Sequence, residues 1–478
     1  MKRNSHNNVS AKAQIIRYVA VDWASGCIAF FLFNIIRYYL LAEGMNGFSD
    51  LWAYLFSTKL IIEQAVVPVG MLGIYWLSGY YNTPFGKSRL QELVTTVFSA
   101  MLNTVIIYLV LLINDQTGRR IINYELIVIL FGLFFLLPYF FRLPITLYAI
   151  RHFKQHQWDF RVIVIGNSTA ARKAGERLMK GPSRVSYEIL GYVDIGGENN
   201  VEDGAKVFSF EEMESLAKEG KVDQIIIAPQ SYDEAKVLKI LYRLFPLDIP
   251  VKISPDTFSF VTSAIRLNDI YGEPFIDLTS PVISESSKNI KRVADILVSS
   301  LVLVIFSPVY LWLAIMVKRS SPGRILYSQE RIGLRQKPFN IYKFRTMRED
   351  AEKDGPQLSS DTDTRITPFG RIMRKYRLDE LPQFWNVLKG DMSIVGPRPE
   401  RAFFIKQIVE EAPYYVLVYQ VRPGITSWGM VKYGYASNLE EMVARTRYDL
   451  IYMGNMSLYV DAKILIYTVK TVLTGKGV

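Results

Sequence analysis

The stretch that decides the fold of this chain is VADILVSSLVLVIFSPVYLWLAIMV, residues 293–317. It is long enough to cross a bilayer, because about 20 apolar residues at about 1.5 Å each cover about 30 Å of hydrocarbon. Basic pairs stand at 291–292 and 318–319, and a full crossing would put one pair on the outer face, against the positive-inside rule. At its middle, Pro308 lacks a backbone donor and kinks a helix, and Ser307 can satisfy a freed backbone group. We therefore predict a re-entrant helix that enters and leaves by one face; the alternative is an ordinary kinked span.

Four other apolar stretches are long enough to span a bilayer, and all lie near the start of the chain. Their bounds are 19–42, 60–81, 91–113 and 126–149. Lysine and arginine residues precede the first stretch, occupy the loop after the second and follow the fourth, so both ends of the bundle are expected in the cytoplasm. The charged residues expected to face the bundle interior, with a transport path as the alternative, are Asp22, Glu63, Glu92 and Arg142. The bundle is interpreted as an anchor.

The composition excludes several kinds of chemistry. The chain has one cysteine, Cys27, and three histidines, of which His156 is the last. Disulfide frameworks and thiolate metal sites are therefore excluded, as are histidine-based catalysis and zinc sites beyond residue 156. The formal charge of +11 suits an anionic membrane face or phosphorylated substrates better than nucleic acid, given the predicted spans.

Between residues 155 and 256 the sequence alternates short buried strands with amphipathic helices, starting from RVIVIG at 161–166. This alternation predicts a parallel, Rossmann-like sheet. The first strand-to-helix turn begins at Gly166, and Asp194 follows the second strand, but the full G-x-G-x-x-G pattern is missing. Two interpretations stay open for this turn: nucleotide binding, with a phosphate held by backbone amides at the helix start, and a packing or regulatory role.

The stretch RLDELPQFWNVLKGDMSIVGPRPE, residues 377–400, places two adjacent acids, Asp379 and Glu380, among cations. Pro382 and Gly390 bracket a short predicted helix, so the acids are expected at its N-terminus, where the backbone dipole favours negative charge. Neighbouring helix positions point about 100° apart. The two carboxylates are therefore expected to divide the work: one attacks a substrate, and the other holds a metal or directs a group. The alternative is a capping acid with surface cations.

The cations around the acidic pair predict an ionised carboxylate with a lowered pKa. An ionised carboxylate suits attack on phosphorus, since aspartyl phosphates are established intermediates. Upstream, QERIGLRQKPFNIYKFRTMRED at 329–350 interleaves arginines and lysines with aromatic residues. Beside a membrane face such cations favour a diphosphate substrate and a lipid phosphate, with Mg²⁺ sharing the charge. A solvated basic face is the alternative.

Three motifs together resemble the bacterial sugar transferases, that is, the monotopic polyprenyl-phosphate phosphoglycosyl transferases. They are ERIGLRQKPFNIYKFRTM at 330–347, RLDELPQFWNVLKGDMSIVGPRPE at 377–400 and VRPGIT at 421–426. Four spans, a Rossmann-like domain and this module look like the large members of the family, which initiate capsular, exopolysaccharide or O-antigen synthesis. After the third motif, the sequence departs from the family's Thr-Gly-Trp-x-Gln-Val pattern at Ser427 and Met430, so no donor-sugar contact is assigned there.

The resemblance implies transfer of a sugar 1-phosphate from a UDP-sugar to undecaprenyl phosphate, with release of UMP, at the cytoplasmic face of the bacterial inner membrane. By resemblance, Asp379 is the nucleophile that forms a covalent phosphosugar intermediate, and Glu380 holds Mg²⁺. The residues expected to bind phosphates or organise the site are Lys343, Arg374 and Arg398 at matching family positions, Arg345 of the basic segment and Arg422 of the Arg-Pro-Gly turn. The expected partners are the two substrates, membrane lipid and, from the family alone, a second copy of the chain; no nucleic acid is expected.

The predicted fold class is a membrane α plus α/β protein. Its parts are a four-helix transmembrane bundle at 1–150, a Rossmann-like parallel-sheet domain at 155–256, a linker at 257–286, and a mostly α catalytic domain at 287–478 that contains the re-entrant helix 293–317.

Two other functions stay open. A membrane NAD-dependent nucleotide-sugar dehydratase would share the bundle and the Rossmann-like domain, and Tyr459-x-x-x-Lys463 matches the spacing of its catalytic pair. Chance spacing is the simpler account, because no glycine fingerprint accompanies the pair. The second alternative is a catalytically inactive scaffold for polysaccharide synthesis, and the intact Asp379-Glu380 pair argues against it.

Overall fold

The computed structural model divides the chain into two compact units. Unit 1 comprises Met1–Phe160, Gly181–Glu188 and Glu285–Asn289, and unit 2 comprises Arg161–Lys180, Ile189–Ser284 and Ile290–Val478. The residues that the structure describes are 11–41, 50–87, 89–112, 120–180, 185–195, 204–228, 233–254, 275–279, 283–349, 351, 363–434, 436 and 438–474. Most of the predicted linker at 257–286 lies outside these residues.

Unit 1 is built from helices. They are α1 (Ala11–Leu40), α2 (Leu51–Leu55), α3 (Thr58–Leu77), α4 (Arg89–Ile107), which continues as a π-helical turn (Tyr108–Leu112), and α5 (Arg120–Lys154). Within the described residues, α1, α3, α4 with its extension, and α5 are long and apolar enough to cross a membrane. The four predicted spans are thus confirmed as apolar helices, and the chain is a membrane protein.

The charged residues of the bundle face its interior, as predicted. All four are buried: Asp22, Glu63, Glu92 and Arg142. Arg142 Nη2 donates to Asp22 Oδ2 at 2.7 Å, and its guanidinium carbon lies 3.8 Å and 3.9 Å from the ring centroids of Tyr75 and Tyr80. Tyr80 in turn donates its hydroxyl proton to Glu92 Oε1 at 2.9 Å. Because each buried acid has a hydrogen-bonding or cationic partner, the cluster can be buried without an isolated charge.

The α/β part contains a six-stranded sheet of order β3-β2-β1-β4-β5-β6. Its strands are β1 (Phe160–Ile165), β2 (Tyr187–Val193), β3 (Val207–Phe208), β4 (Gln224–Ile227), β5 (Val251–Ile253) and β6 (Ile276–Asp277). Its helices are α6 (Thr169–Lys180), α7 (Phe210–Lys218) and α8 (Glu234–Leu244). Pairing is parallel for β1 with β4, β2 with β3 and β4 with β5, and antiparallel for β5 with β6. The sheet is therefore mixed, and a strand or helix occupies each predicted position of the alternation.

Gly166 directly follows β1 and has a positive φ of 122°. A Cβ atom at this position would lie 2.5 Å from the carbonyl oxygen of Ala228, just after β4. Any side chain would clash with that backbone, so close packing of two strand ends accounts for this glycine. The observation favours the packing interpretation of the turn.

The apolar stretch at 293–317 forms two helices with a bend of 63° between them. They are α9 (Glu285–Ile305) and α10 (Ser307–Ser320). Pro308 stands in the first turn of α10, and Ser307 Oγ donates to the carbonyl oxygen of Val304 at 2.8 Å, so the predicted kink and its hydrogen bond are confirmed. Large apolar side chains of both helices are exposed, Val304 and Leu311 among them.

The rest of unit 2 is mostly helical and carries two small sheets. An antiparallel hairpin joins β7 (Leu326–Ile332) to β8 (Pro338–Phe344), and β9 (Ser393–Val395) pairs in parallel with β10 (Gly424–Thr426). The helices are α11 (Pro368–Lys375), α12 (Gln383–Lys389), α13 (Ala402–Glu411), α14 (Trp428–Lys432), α15 (Leu439–Gly454) and α16 (Leu458–Leu473), with 3₁₀ turns at Leu378–Glu380 and Pro413–Gln420. One buried apolar cluster runs from the six-stranded sheet into this module. The module and the sheet therefore share a core.

Candidate active site

The acidic pair lies in a short turn of its own. Gly390 ends α12 with a φ of 95°, which agrees with the predicted glycine stop. The acids, however, belong to the 3₁₀ turn Leu378–Glu380, which precedes α12 and is separate from it. Arg377 enters this turn with a φ of 51°, a left-handed conformation that costs a non-glycine residue about 1 kcal/mol or more. The local backbone is therefore strained next to the two carboxylates.

Glu380 forms ion pairs with three cationic side chains. Its Oε1 lies 2.8 Å from Lys343 Nζ and 3.5 Å from Arg398 Nη2, and its Oε2 lies 3.4 Å from Arg377 Nη1. These three cations come from β8, from the loop after β9 and from the turn itself. Burial alone would raise the pKa of Glu380, but the charges of Lys343, Arg398 and Arg377 hold it well below its usual range. Glu380 is therefore ionised at neutral pH.

Asp379 is equally buried but has a different electrostatic environment. In the part of the chain that the structure describes, the neighbouring cations pair with Glu380, and none forms an ion pair with Asp379. Burial raises the pKa of Asp379 to about 6, although Lys343 opposes the rise. The predicted lowering of its pKa is therefore wrong. The effect of desolvation on the pKa of Asp379 exceeds that of the neighbouring cations. The negative charge of the adjacent Glu380 raises the pKa further.

The side chains of Asp379 and Glu380 line a cavity of about 520 Å³. Its lining is rich in cations and also includes apolar side chains such as Phe404 and Met442. The charged lining residues are Arg324, Arg331, Lys343, Arg345, Arg348, Glu349, Arg365, Arg374, Arg377, Asp379, Glu380, Arg398, Glu400, Arg401 and Arg445. Positive charges outnumber carboxylates, so the cavity suits a polyanionic ligand such as a diphosphate.

Four of the five basic residues predicted for the site line this cavity: Lys343, Arg345, Arg374 and Arg398. Arg374 Nε donates to Thr346 Oγ1 at 3.0 Å. Arg345 differs, because it donates to the carbonyl oxygens of Ser321 at 2.6 Å and Pro322 at 2.7 Å. Its guanidinium thus holds the segment after α10.

The structure does not place Arg422 with the other four. Arg422 is absent from the described residues that line the cavity, and its Nε donates to the carbonyl oxygen of Gly390 at 2.9 Å. A cation at the C-terminal end of a helix complements the helix dipole there. Arg422 therefore contacts the end of α12, and its role at the phosphate site stays a prediction.

Sequence reasoning missed a buried ion-pair cluster in the cavity wall. Glu400 accepts from Arg445 through Oε1 and from Arg331 through Oε2, the latter at 3.3 Å. Glu400 is the last residue of the Pro-Arg-Pro-Glu motif, and its position in that motif was a signal that could have identified it. Arg445 lies on α15, and no local pattern links it to the motif.

The residue that departs from the family pattern at position 430 contacts the site. Arg398 Nη1 donates to the sulfur of Met430 at 3.2 Å, while the backbone amide of Arg398 donates to Asp449 Oδ2 at 3.3 Å. Burial raises the pKa of Asp449. The sequence identified Met430 only as a departure from the pattern, whereas the structure shows what it touches.

Tyr459 and Lys463 are both exposed on α16, and neither belongs to the described lining of the cavity. Their dehydratase-like spacing therefore marks no site in the described structure.

The carboxylates of the cavity determine whether it can hold a metal ion. Among the described residues, no three Asp, Glu, His or Cys side chains converge as a preformed metal cage. Mg²⁺ at phosphoryl-transfer sites is usually held by one or two carboxylates together with substrate phosphates and water. Asp379 and Glu380 line one cavity and fit that arrangement, but Glu380 must share its oxygens with Lys343.

Two family models match the chain. The family described as "Bacterial sugar transferase" matches residues 286–475, which contain the acidic pair and the whole cavity lining. The family described as "CoA-binding domain" matches residues 77–255.

Several curated proteins are similar in sequence. A UDP-N-acetylgalactosamine-undecaprenyl-phosphate N-acetylgalactosaminephosphotransferase of Aeromonas hydrophila is 44% identical over 188 residues, which are 39% of this chain and 44% of that protein. A UDP-glucose:undecaprenyl-phosphate glucose-1-phosphate transferase of Escherichia coli (strain K12) is 33% identical over 321 residues, 66% of this chain and 68% of the relative. A protein of the same name from Xanthomonas campestris pv. campestris is 32% identical over 325 residues, 66% and 67% of the two chains. The chain thus spans less than half the length of the first relative and about two thirds of the other two.

Proposed function

Because this chain belongs to the bacterial sugar transferase family, we propose that it transfers a sugar 1-phosphate from a UDP-sugar to undecaprenyl phosphate, giving undecaprenyl-diphosphate-sugar and UMP. The observation that carries the proposal is the buried Asp379-Glu380 pair in a cavity lined with cations, inside the segment that matches the family. A diphosphate donor and a phosphate acceptor both bring negative charge that such a lining can balance. This reaction is the first membrane step in assembling an exopolysaccharide, a capsule or an O-antigen.

The proposed first step is attack by Asp379. A carboxylate oxygen of Asp379 bonds to the phosphorus that carries the sugar, and the bond from that phosphorus to the bridging oxygen breaks, so UMP leaves. A pKa of about 6 keeps Asp379 mostly ionised at neutral pH and leaves it more basic than an ordinary aspartate. The absence of an ion pair from the neighbouring described cations leaves its oxygens available for attack.

The second step regenerates the enzyme. A phosphate oxygen of undecaprenyl phosphate attacks the phosphorus of the phosphosugar, and the bond to Asp379 breaks. Lys343, Arg374 and Arg398 line the same cavity and can balance the charge on the transferring group. Glu380 would hold Mg²⁺, which supplies further charge neutralisation on a diphosphate.

The membrane placement is part of the proposal. The 63° bend at Ser307-Pro308, the exposed apolar side chains on both sides of it and the basic pairs at both ends support a re-entrant helix in the inner membrane. A re-entrant helix keeps the module at 287–478 on the cytoplasmic face, where nucleotide sugars are made. A kinked span would put one basic pair on the outer face.

The roles of the remaining parts follow from the same proposal. The strand order of the six-stranded sheet supports a Rossmann-like domain at 155–256, with β6 as an antiparallel addition. The bundle at 1–150 serves as the multi-pass anchor. A homodimer is proposed on the family resemblance alone.

The function is tested by UMP release. Detergent-purified protein is mixed with Mg²⁺, undecaprenyl phosphate and a panel of UDP-sugars, and wild type is compared with Asp379→Asn and with Asp248→Asn, an exposed aspartate outside the cavity lining. We expect release with at least one donor in wild type and Asp248→Asn, and a rate lower by about 10⁴-fold or more in Asp379→Asn. Equal release from wild type and Asp379→Asn contradicts the nucleophile, and no release with any donor favours the inactive scaffold.

The covalent intermediate has a separate test. Without undecaprenyl phosphate, wild type should retain label from a sugar-labelled donor on the peptide that contains Asp379, and Asp379→Asn should not. Labelling of both proteins would contradict the assignment.

A further inference from the structure

Strand β8 has one edge paired with β7 and one edge that faces α12. At the end of the ladder with β7, the backbone amide of Arg345 donates to the carbonyl oxygen of Ile325 at 3.0 Å, so the backbone groups of Lys343 and Ile341 also face β7. Because alternate residues of a strand direct their backbone groups to opposite edges, the groups of Asn340 and Tyr342 can face the second edge. No strand of the described structure pairs with β8 there.

The side-chain amide of Asn386 occupies that second edge. Its Nδ2 donates to the carbonyl oxygen of Asn340 at 2.7 Å, and its Oδ1 accepts from the backbone amide of Tyr342 at 3.1 Å. One residue of a neighbouring parallel strand would use its own N–H and C=O in the same two-point pattern. Asn386 therefore replaces a strand neighbour with a single side chain.

The amide is fixed in orientation and sealed from water. Asn386 is fully buried, and Nδ2 also donates to Asp391 Oδ2 at 3.3 Å. Nδ2 faces two acceptors, the Asn340 carbonyl and the Asp391 carboxylate, and Oδ1 faces one donor, the Tyr342 amide. Only one orientation of the Asn386 amide satisfies all three hydrogen bonds. Because water has no access, no solvent molecule can replace these bonds if the side chain is lost.

Asn386 joins β8, which carries Lys343, to the helix that follows the turn of the acidic pair. It lies on α12, which follows the turn of the acidic pair, and Tyr342 directly precedes Lys343 on β8. Lys343 Nζ is 2.8 Å from Glu380 Oε1. The distance between Lys343 and the acids thus depends on how firmly β8 is held to α12.

We propose that Asn386 is a positioning residue, which clamps β8 to α12 and so holds Lys343 against Glu380 and beside Asp379. This inference rests on the proposed function, since it gives Lys343 and the acidic pair a part in the reaction. Asn386 itself does not line the cavity among the described residues, so it acts through Lys343.

The decisive variant is Asn386→Leu, which keeps the size of the side chain and removes both hydrogen bonds to β8. We expect UMP release to fall by about 100-fold, since a misplacement of about 1 Å at a reacting site has that effect.

Ile408→Ala is the matched control. Ile408 is fully buried on α13 and packs in the same core without a hydrogen bond to β8. It should lower the unfolding temperature and leave the rate of UMP release per folded molecule near that of wild type. A purely structural role for Asn386 would make the two variants behave alike.

A readout without catalysis separates this inference from the proposed function. Labelling of Lys343 by an amine-reactive reagent, followed by peptide mass spectrometry, should increase in Asn386→Leu and stay at the wild-type level in Ile408→Ala. If wild type releases no UMP, the proposed function fails and the labelling still tests the clamp. If Asn386→Leu does not fold, Asn386→Gln keeps an uncharged amide, and its extra methylene moves that amide out of register with Asn340 and Tyr342. Unchanged Lys343 labelling in whichever of these two Asn386 variants folds overturns the proposal.

Discussion

Two clusters of buried charged residues in this molecule have similar compositions but differ in how their charges are paired. In the bundle, Arg142 is paired with Asp22 and lies against the rings of Tyr75 and Tyr80. In the cavity, three cations surround Glu380, while Asp379 is buried without an ion pair among the described cations. The first cluster is balanced and closed, whereas the second has positive charge in excess and opens into a cavity.

The charge balance of a buried cluster indicates whether it contributes to stability or to substrate binding. A balanced cluster loses stability when one partner is removed, because the other charge is left buried and alone. A cluster with excess cations is completed only when anionic groups arrive with a substrate.

The largest expected effect is that of Asp379→Asn. We expect UMP release to fall by about 10⁴-fold or more, as for the loss of a nucleophile in other enzymes. Stability should not fall at neutral pH. The raised pKa of Asp379 means that its ionised form destabilises the folded state above pH of about 6, and a neutral amide removes that cost. Thermal unfolding of the two proteins checks this, and a clear loss of stability would count against the electrostatic assignment.

Asp22→Asn should have the opposite profile. Removing this partner leaves the fully buried Arg142 without its carboxylate, and we expect a loss of about 3–5 kcal/mol in the free energy of unfolding. Intrinsic fluorescence during unfolding in detergent measures it. Glu63→Gln is the control, because its ion pair with the exposed Lys59 spans 3.7 Å and is worth little. A substantially lower rate of UMP release per folded molecule of Asp22→Asn would contradict the role of the bundle as an anchor.

Arg398→Met and Arg422→Met separate a cavity cation from a helix-end cation. Arg398 lines the cavity beside Glu380, so its loss should lower kcat/KM for the UDP-sugar by about 100-fold. Arg422 donates to Gly390 at the end of α12, so its loss should cost about 0.3–1 kcal/mol of stability and change kcat/KM little. Steady-state kinetics on both variants distinguishes them, and equal losses in kcat/KM would return Arg422 to the phosphate site.

The smallest expected effect is that of pH on the wild type. Only ionised Asp379 can attack, so the rate of UMP release should fall by about tenfold per unit as the pH drops below its pKa of about 6. Recovery of the rate after return to neutral pH excludes denaturation as the cause. A rate that stays constant down to the ordinary pKa of an aspartate would mean that the cations, and not burial, dominate at Asp379.

Local sequence signals predicted much of the fold. The four apolar spans follow from the length of uninterrupted hydrophobic sequence, and the bend between α9 and α10 follows from Ser307-Pro308. The stop at Gly390 follows from the glycine that ends α12. Each of these features depends on residues close together in the chain, which is why a pattern could reveal them.

The electrostatics of the site could not be predicted in the same way. The sequence shows that cations surround the acidic pair, and it cannot tell which cation reaches which carboxylate. The three cations on Glu380 come from β8, from the 3₁₀ turn and from the loop after β9, and their distances are set by packing. The pKa of Asp379 was therefore predicted in the wrong direction, because burial depends on the whole fold.

The sequence by itself determined that the chain has apolar helices of membrane-spanning length, an alternating α/β part and an acidic pair among cations, since hydrophobic length, periodicity and motif spacing are local. Only the tertiary structure decided that Glu380 takes the cations, that Asp379 is left with a raised pKa, that Arg422 contacts a helix end, and that Asn386 joins β8 to α12. The reason is physical: a Coulomb energy and a desolvation cost depend on distance and burial, which packing fixes between residues far apart in the chain.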